Sequence, residues 1–510
     1  MLRGETPAGR RAWHVVAALL GLLHFGSFPW LDHPLATDVR CFLYYAARTA
    51  QGAWPHLDFF ENKTPLAFFV GAGLHRLGAL LDIDGFYAVR LGYLGLAALN
   101  AWLAYLIHSR LWQSRVAGLL GLAPYLAVPI LGGLPAIGNV PKLLMAVCAS
   151  GAALMAARRS WCWVGVLGGL AILDWQVGGL VVIAGCVAGV VSGGHRRWRA
   201  GLAVGLAALI PVLALVALYA LLGGLKPFLQ QTVLASVSRG VTTATTQGVM
   251  ADWPRRFQLI LESPLSRPAV AALALPGLLL QLLAPGRTLP AVLPATVVLT
   301  VYHAGILAFS LLDFQVYGDL FILYNSLAFL AGTALCWLFR EAERRALGRS
   351  PTVASLPRAG ALLVGLALAQ PWVSRQAVRI VPRPPGAALT LEDQRGLASR
   401  LKPLLSKYRV AVLGPAELLL LTESKNPILP VYWNYATHAY FRKTRDEGMG
   451  ETLRRILREA SCDFVVCDRE FPQGRCAEGL GSFPHRQEIS PGGYGVDIYD
   501  VRGGRGEGTP

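Results

Sequence analysis

Charge is what this chain lacks. Only 15% of its 510 residues are Asp, Glu, Lys or Arg, against roughly a quarter in a soluble globular domain. With 54% hydrophobic residues and a mean hydropathy of +0.46, an ordinary soluble domain is excluded. Acids are scarcer still, 30 against 47 Lys and Arg, for a net charge of +17. Of that excess, +15 falls in residues 1–380 and only +2 in 381–510. A basic surplus inside the apolar part points to membrane orientation and not to a nucleic-acid footprint. The eight cysteines show no zinc spacing with matching histidines. Cys41, Cys148, Cys162, Cys186 and Cys336 are scattered through apolar segments, and Cys462, Cys467 and Cys476 cluster near the C-terminus. No Walker or glycine-rich nucleotide loop is present. No signal-peptide cleavage pattern follows the first apolar stretch, and no internal repeat is evident.

What the chain has is apolar stretches of about 17–22 residues, each long enough to cross roughly 30 Å of hydrocarbon. Eleven spans are expected, near 13–30, 86–107, 116–133, 139–156, 161–173, 177–193, 201–222, 268–284, 290–310, 320–339 and 358–378. Arg10 and Arg11 before the first place the N-terminus in the cytoplasm. Residues 65–81 are apolar but interrupted by His75 and Arg76. Read as an interfacial amphipathic helix, this segment leaves the basic loops at Arg110/Arg115, Arg158–Arg159, His195–Arg199, Arg287 and Arg340–Arg349 inside. It leaves nearly all acids of this part outside, most of them on the long outer loops 31–85 and 223–267 and the others, Asp174, Asp313 and Asp319, at further outer ends. The fold class expected is therefore an α-helical polytopic membrane protein, residues 1–378, followed by a small extracytoplasmic α/β domain, 379–510. In the latter, 408–413, 463–468 and 494–501 read as strands. Residues 450–460 carry Leu453, Ile456 and Leu457 at helical spacing. Gly414 stands alone after a strand-like run and makes no phosphate loop.

Chemistry concentrates in the first outer loop. Asp38 follows the first span. A short helix bearing Arg40, Tyr44, Tyr45 and Arg48 stops at Gly52. A second polar knot, Asp58, Glu61 and Lys63, precedes Pro65, which suits the first position of a helix. Attack of an alcohol on a glycosyl phosphate needs a carboxylate to take the proton and cations to steady the departing phosphate. Asp38 with Lys63, Arg40, Arg48 and Asp58 supplies both kinds. The competing structural reading makes Asp38 a helix N-cap and Lys63 the partner of Glu61.

The ordered set Asp38, Tyr45-Ala46, Gly52-Ala53-Trp54-Pro55, Phe59-Phe60, Lys63-Thr64-Pro65 and Val89-Arg90-Leu91 resembles the GT-C membrane glycosyltransferases. The relevant branch holds protein O-mannosyltransferases, aminoarabinose transferases and lipopolysaccharide-core galacturonosyltransferases. The resemblance is strongest over about residues 10–200. It implies a catalytic base at Asp38, a donor-phosphate contact at Lys63 and a polyprenyl-phosphate sugar as donor. Many members have Asp-Glu where this chain has Asp38-Val39, an acid before Pro where it has Asn139-Val140-Pro141-Lys142, and Thr-Lys where it has Asp174-Trp175-Gln176. These changes leave the base in place and bear on sugar and acceptor identity.

Further candidates are Asp313 and Asp319, at the outer end of two spans, and Arg255 and Arg256, with Arg239 and Lys226, in the second outer loop. Outer-facing arginines against the positive-inside trend suggest anion or headgroup binding. His303 within a span reads as a packed residue before a ligand, and Asp174 as a helix-turn cap before an acceptor-side carboxylate. The function expected is an inverting glycosyltransferase, hexosyl- or pentosyl-, acting at the extracytoplasmic face of the plasma (inner) membrane. Its acceptor is an envelope lipid, glycan or protein. No cofactor is required, no ligand spacing argues for a metal, and no nucleic-acid partner is expected. The alternatives are a transporter or flippase, which calls for charges at mid-membrane on broken helices, and a non-catalytic component of envelope polysaccharide assembly.

Overall fold

A computed structural model describes residues 7–234, 258, 267–283, 292–312, 317–346, 390–468, 479–489 and 495–502, apart from positions 29, 36–37, 139, 193, 195–196, 432–434 and 445. Among the described residues, the apolar sequence of the first two-thirds becomes helix. These helices are α1 (Pro7–Gly26), α2 (Val39–Ala50), α3 (Leu66–Leu80), α4 (Gly85–Leu111), α5 (Arg115–Ala127), α6 (Ile130–Ile137), α7 (Pro141–Ala157), α8 (Trp161–Asp174), α9 (Gly179–Ser192), α10 (Arg197–Leu221), the short α11 (Leu225–Leu229), α12 (Pro268–Leu283), α13 (Leu293–Leu312) and α14 (Tyr317–Ala346). Among the described residues, four helices are long and apolar enough to cross a membrane, or five if a bent pair counts as one; several shorter apolar helices accompany them. The expected span at 358–378 lies outside the described residues.

Local chemistry sets the helix ends. The Asp84 side chain accepts from the Phe86 amide at 2.9 Å to open α4, Ser114 accepts from Ala117 to open α5, and Pro141 stands at the start of α7. Residues 116–133, expected as one straight span, instead form α5 and α6, bent by 59°. Val128 is forced extended, at φ −94° and ψ 111°, by the proline that follows it, and Pro129 has no N–H to continue the ladder. Packing relies on small residues. A Cβ on Gly169 of α8 would strike the α10 backbone at Ala208, and one on Gly277 of α12 would strike α14 at Leu330. Such close backbone approach is how helices associate where water provides no drive.

Residues 65–81 do form a helix, α3. Its 15 residues span about 22 Å at 1.5 Å each, short of the ~30 Å hydrocarbon thickness. It buries Ala67 and Phe68 and exposes Leu77 and Leu80.

The C-terminal part is α/β. Helix α15 (Leu391–Lys407) opens on a Thr390–Asp393 capping box. Then come β1 (Val410–Leu413), α16 (Ala416–Leu421), α17 (Tyr435–Phe441), α18 (Met449–Glu459), β2 (Phe464–Asp468), β3 (His485–Ile489) and β4 (Gly495–Asp500). The sheet order is β1-β2-β4-β3, with β1 parallel to β2 and the other pairs antiparallel. α18 buries Leu453, Ile456 and Leu457 against it, as their spacing predicts. Cys467 at the end of β2 is disulfide-bonded. Gly414, at φ +103°, has the Asp468 Cβ only 3.0 Å from where its own would stand; both the left-handed backbone and the close approach need glycine.

This α/β part shares a hydrophobic core with the first loop. Phe42, Tyr44, Tyr45, Phe59 and Phe68 pack with Leu397, Leu401, Val412, Leu418 and Ile498 in one buried cluster. Polar bonds reinforce it. Gln394 pairs reciprocally with the Leu35 backbone at 2.7 Å in each direction. The Phe60 amide donates to the Leu429 carbonyl at 3.0 Å.

Candidate active site

Asp38 sits at the N-cap position of α2. Its backbone is already helical (φ −61°, ψ −21°), and its carboxylate makes no capping bond. It is exposed. The N-cap reading is therefore met in position and not in hydrogen bonding, which leaves both oxygens available.

One turn along α2, Phe42 receives the Lys63 ammonium 4.6 Å from its ring centre. Lys63 Nζ stands 3.8 Å from the Glu61 carboxylate, with the lysine side chain 19% exposed. The expected Lys63–Glu61 pair is present, and it lies over the Asp38 end of the helix. Burial pushes the Glu61 carboxyl upward, Lys63 and the Lys63 amide oppose this, and the Asp38 charge adds to the rise. Asp38, Glu61 and Lys63 are thus electrostatic neighbours. Lys63 alone brings a cation that reaches toward solvent.

The loop carrying Lys63 is held from below. Glu61 accepts from the amides of Asn62 and Lys63 at 3.0 and 3.1 Å. Thr64 donates to the Ile172 carbonyl at 2.9 Å, and Gln176 donates to the Asn62 carbonyl at 2.7 Å. Gln231, fully buried in a single π-helical turn (Gln230–Leu234), accepts from the Glu61 amide and donates to the His56 carbonyl. π-turns recur at functional sites.

His56 was not singled out in the sequence. It is buried with φ +67°. Its Nε2 stands 3.0 Å from the Lys63 carbonyl and its Nδ1 3.1 Å from the Tyr219 hydroxyl. Burial pushes its pKa down to about 4. The one Tyr219 hydroxyl proton is directed at the Pro55 carbonyl at 2.9 Å; in the neutral ring Nε2–H donates to Lys63 O.

Arg90, within the Val-Arg-Leu motif, is fully buried. It donates to the carbonyls of Trp30, of His33 at 2.7 Å and of Ile137 at 2.8 Å. It staples the approach to Asp38 onto the end of α6.

Other expected site residues lie elsewhere. Arg40 points away into the α/β part, where it pairs with Asp468 at 2.5 Å and Glu417 at 3.3 Å, all three buried. Arg48 is ten positions beyond Asp38, about 15 Å along the axis, and bonds Gln51 at 2.6 Å. Asp58 closes its own turn, accepting from the Trp54 amide at 2.6 Å. Asp319 is buried and ion-paired with Lys142, whose ammonium also lies 4.5 Å from the Trp175 ring centre. Arg239, Arg255, Arg256 and Asp313 lie outside the described residues. Asp174 is buried and accepts from the Met145 amide at 3.0 Å. His303 stacks on Phe329 and bonds Ser326 at 3.0 Å, a packed residue. Among the described residues, no group of three or more His, Cys, Asp or Glu is placed to hold a metal.

No family model matches the chain, and no curated protein matches it in sequence. Solved structures do match in fold. ArnT from Cupriavidus metallidurans, bound to undecaprenyl phosphate, superposes with a TM-score of 0.53 at 14% identity, over 97% of this chain and 98% of that one. The oligosaccharyltransferase AglB from Archaeoglobus fulgidus, in complex with an inhibitory peptide and a dolichol-phosphate, gives 0.55 at 12% identity, over 95% of this chain and 74% of that one. Together with its apolar helices, these neighbours make the chain a multi-pass membrane protein with the fold of the GT-C glycosyltransferases.

Proposed function

We propose that the chain transfers a sugar from a polyprenyl-phosphate donor to a hydroxyl of an envelope lipid, glycan or protein at the extracytoplasmic face, with inversion. The observation that carries this is the pairing of an exposed, uncapped Asp38 with an anchored Lys63 beside it. Asp38 takes the acceptor's hydroxyl proton. The oxygen then attacks the anomeric carbon. The sugar–phosphate C–O bond breaks, and its electron pair leaves with the polyprenyl phosphate. Lys63 steadies the phosphate as its charge grows. Lys142, balanced by Asp319, stands as a further cation beside the α8 corner that anchors the Lys63 loop. In this reading Arg40, Arg48 and Asp58 leave the donor set, and neither a metal nor a nucleotide is required. The lipid-phosphate ligands of the two fold neighbours support the donor class.

Orientation belongs to the same proposal. The contacts Thr64–Ile172, Gln176–Asn62 and Lys142–Asp319 gather one set of helix ends around the Asp38 loop. The opposite ends carry Arg110, Arg115, Arg158, Arg159, Arg197, Arg344 and Arg345, which the positive-inside rule assigns to the cytoplasm.

Membranes holding the Asp38→Asn variant, given labelled polyprenyl-phosphate sugars and envelope extracts, are expected to lose at least about 100-fold in transfer rate, the usual worth of a general base. Near wild-type transfer in that variant would remove Asp38 from the role.

A further inference from the structure

Behind α2, on the side away from Phe42 and Lys63, lies a cavity of about 370 Å³. Tyr44, Ala47, Arg48 and Gln51 form its α2 wall. These positions recur at helical spacing on the face roughly opposite Phe42. His75 and Asp84 contribute from the end of α3 and the start of α4, and Arg395, Glu423 and Ser424 from the α/β part.

Three observations define its ligand. First, the wall carries both signs of charge, with Arg48 and Arg395 against Asp84 and Glu423. The two acids converge: burial lowers the pKa of His75, and the charges of Asp84 and Glu423 both oppose that. Second, Glu423 has φ +56°. It occupies the left-handed position after α16 that glycine or asparagine usually takes. That turn brings the Glu423 side chain to the cavity wall. Third, the chain between the two lining residues His75 and Asp84 exposes an apolar collar, away from the cavity wall itself. Leu77, Leu80, Leu81 and Ile83 are 48%, 82%, 60% and 39% exposed, and they share this stretch with Arg76 and Asp82.

We infer that this cavity holds the headgroup of an aminophospholipid, with its acyl chains lying over the collar. Guanidinium groups take the phosphate oxygens. The carboxylates take a primary ammonium, which offers three N–H donors. A quaternary ammonium has none, so the site selects phosphoethanolamine over phosphocholine. A free sugar would match the polar wall alone; the exposed leucines of the interfacial α3 set the cavity at the bilayer surface, where a lipid headgroup lies. This site stands apart from Asp38, and it fastens the α2–α3 loop and the α/β part to the bilayer surface together.

The full chain, purified in mild detergent, would be loaded with equimolar phosphatidylethanolamine, phosphatidylcholine and phosphatidylglycerol of matched chains. Native mass spectrometry then reads which lipid stays. The wild type is expected to retain one phosphatidylethanolamine about tenfold over either competitor, the equivalent of about 1.4 kcal/mol. The Asp84→Asn/Glu423→Gln double variant should lose its preference over phosphatidylcholine, and Arg395→Gln should lose both zwitterionic lipids. Asparagine still caps α4, and an unchanged melting temperature confirms the fold. Leu80→Ser, at a fully peripheral position, gives an independent arm: it should weaken retention of the long-chain lipid severalfold. Equal retention by wild type and double variant overturns the inference. So does a wild type that prefers phosphatidylglycerol, which would leave a simple anion site, or one whose retained phosphatidylethanolamine is displaced by a soluble glycan.

Discussion

An acid at a helix N-terminus ordinarily spends an oxygen on the first turn's amides. Asp38 does not, which leaves its carboxylate open for the proposed role as base. Its cation, Lys63, is placed by backbone bonds as much as by its own charge, and His56 makes one of them. Burial favours the neutral His56 ring, so charging it between Lys63 O and Tyr219 should destabilise the fold around the loop. The sign follows from linkage: a pKa lowered from 6.5 to about 4 in the fold contributes stability that is present above about 6.5 and lost as pH falls through about 4. At full effect this amounts to about 3 kcal/mol. Melting temperatures measured from pH 7 to pH 4 should fall more steeply for wild type than for His56→Gln, which keeps an N–H donor without titrating. Parallel slopes would detach His56 from acid sensitivity. As candidates, Asp38 and Lys63 stand out in the sequence because charged residues are rare in it and these sit beside a span and a proline. His56 does not, because its partner Tyr219 is 163 residues away and an isolated histidine carries no spacing signal.

At the scale of elements, α2 is the hinge of the design. One face carries Phe42 under Lys63, another lines the cavity, and Arg40 reaches into the α/β part. Arg40 in sequence looked like a phosphate ligand, since an arginine two residues past a catalytic acid fits that role; burial against Asp468 and Glu417 gives it a different one. Removing one member of a buried ion cluster leaves charges uncompensated, at a cost of about 3–5 kcal/mol. Arg40→Gln should therefore lower the melting temperature markedly. Combining it with Asp468→Asn and Glu417→Gln should recover part of that loss, because neutral partners need no cation. A triple variant no more stable than Arg40→Gln would mean that the cluster is not a coupled unit. Pairings of this kind, 377 and 428 residues apart, leave no local pattern. Helix existence does, through apolar runs, and so do the α18 stripe and the β1, β2 and β4 strands through alternation and β-branched content. The break in 116–133 was available in principle from Pro129, whose effect on Val128 is local.

Across the whole molecule, orientation turns on α3. Were it to span, every later loop would exchange sides; its length, about 22 Å, is no shorter than that of α8 or α9, so the proposed interfacial placement rests on the charge pattern of the loops and on its packing against α2 and α4. The disulfide at Cys467 fits an oxidising compartment for the α/β part, and the arginine-rich ends fit the cytoplasm. In the sequence, charge counting points to the same orientation. The sequence is silent on how firmly the α/β part docks, because the shared core joins residues 41–68 to 397–498, two stretches whose apolar residues each read as self-sufficient. Single cysteines introduced at Arg486, exposed on the edge strand β3, and at Arg158, exposed in the turn after α7, separate the two sides. In intact cells a membrane-impermeant maleimide should label Arg486→Cys and should reach Arg158→Cys only after permeabilisation. The reverse pattern would put α3 across the bilayer and Asp38 on the cytoplasmic side, where a lipid-linked donor exposed only at the outer leaflet could not reach it.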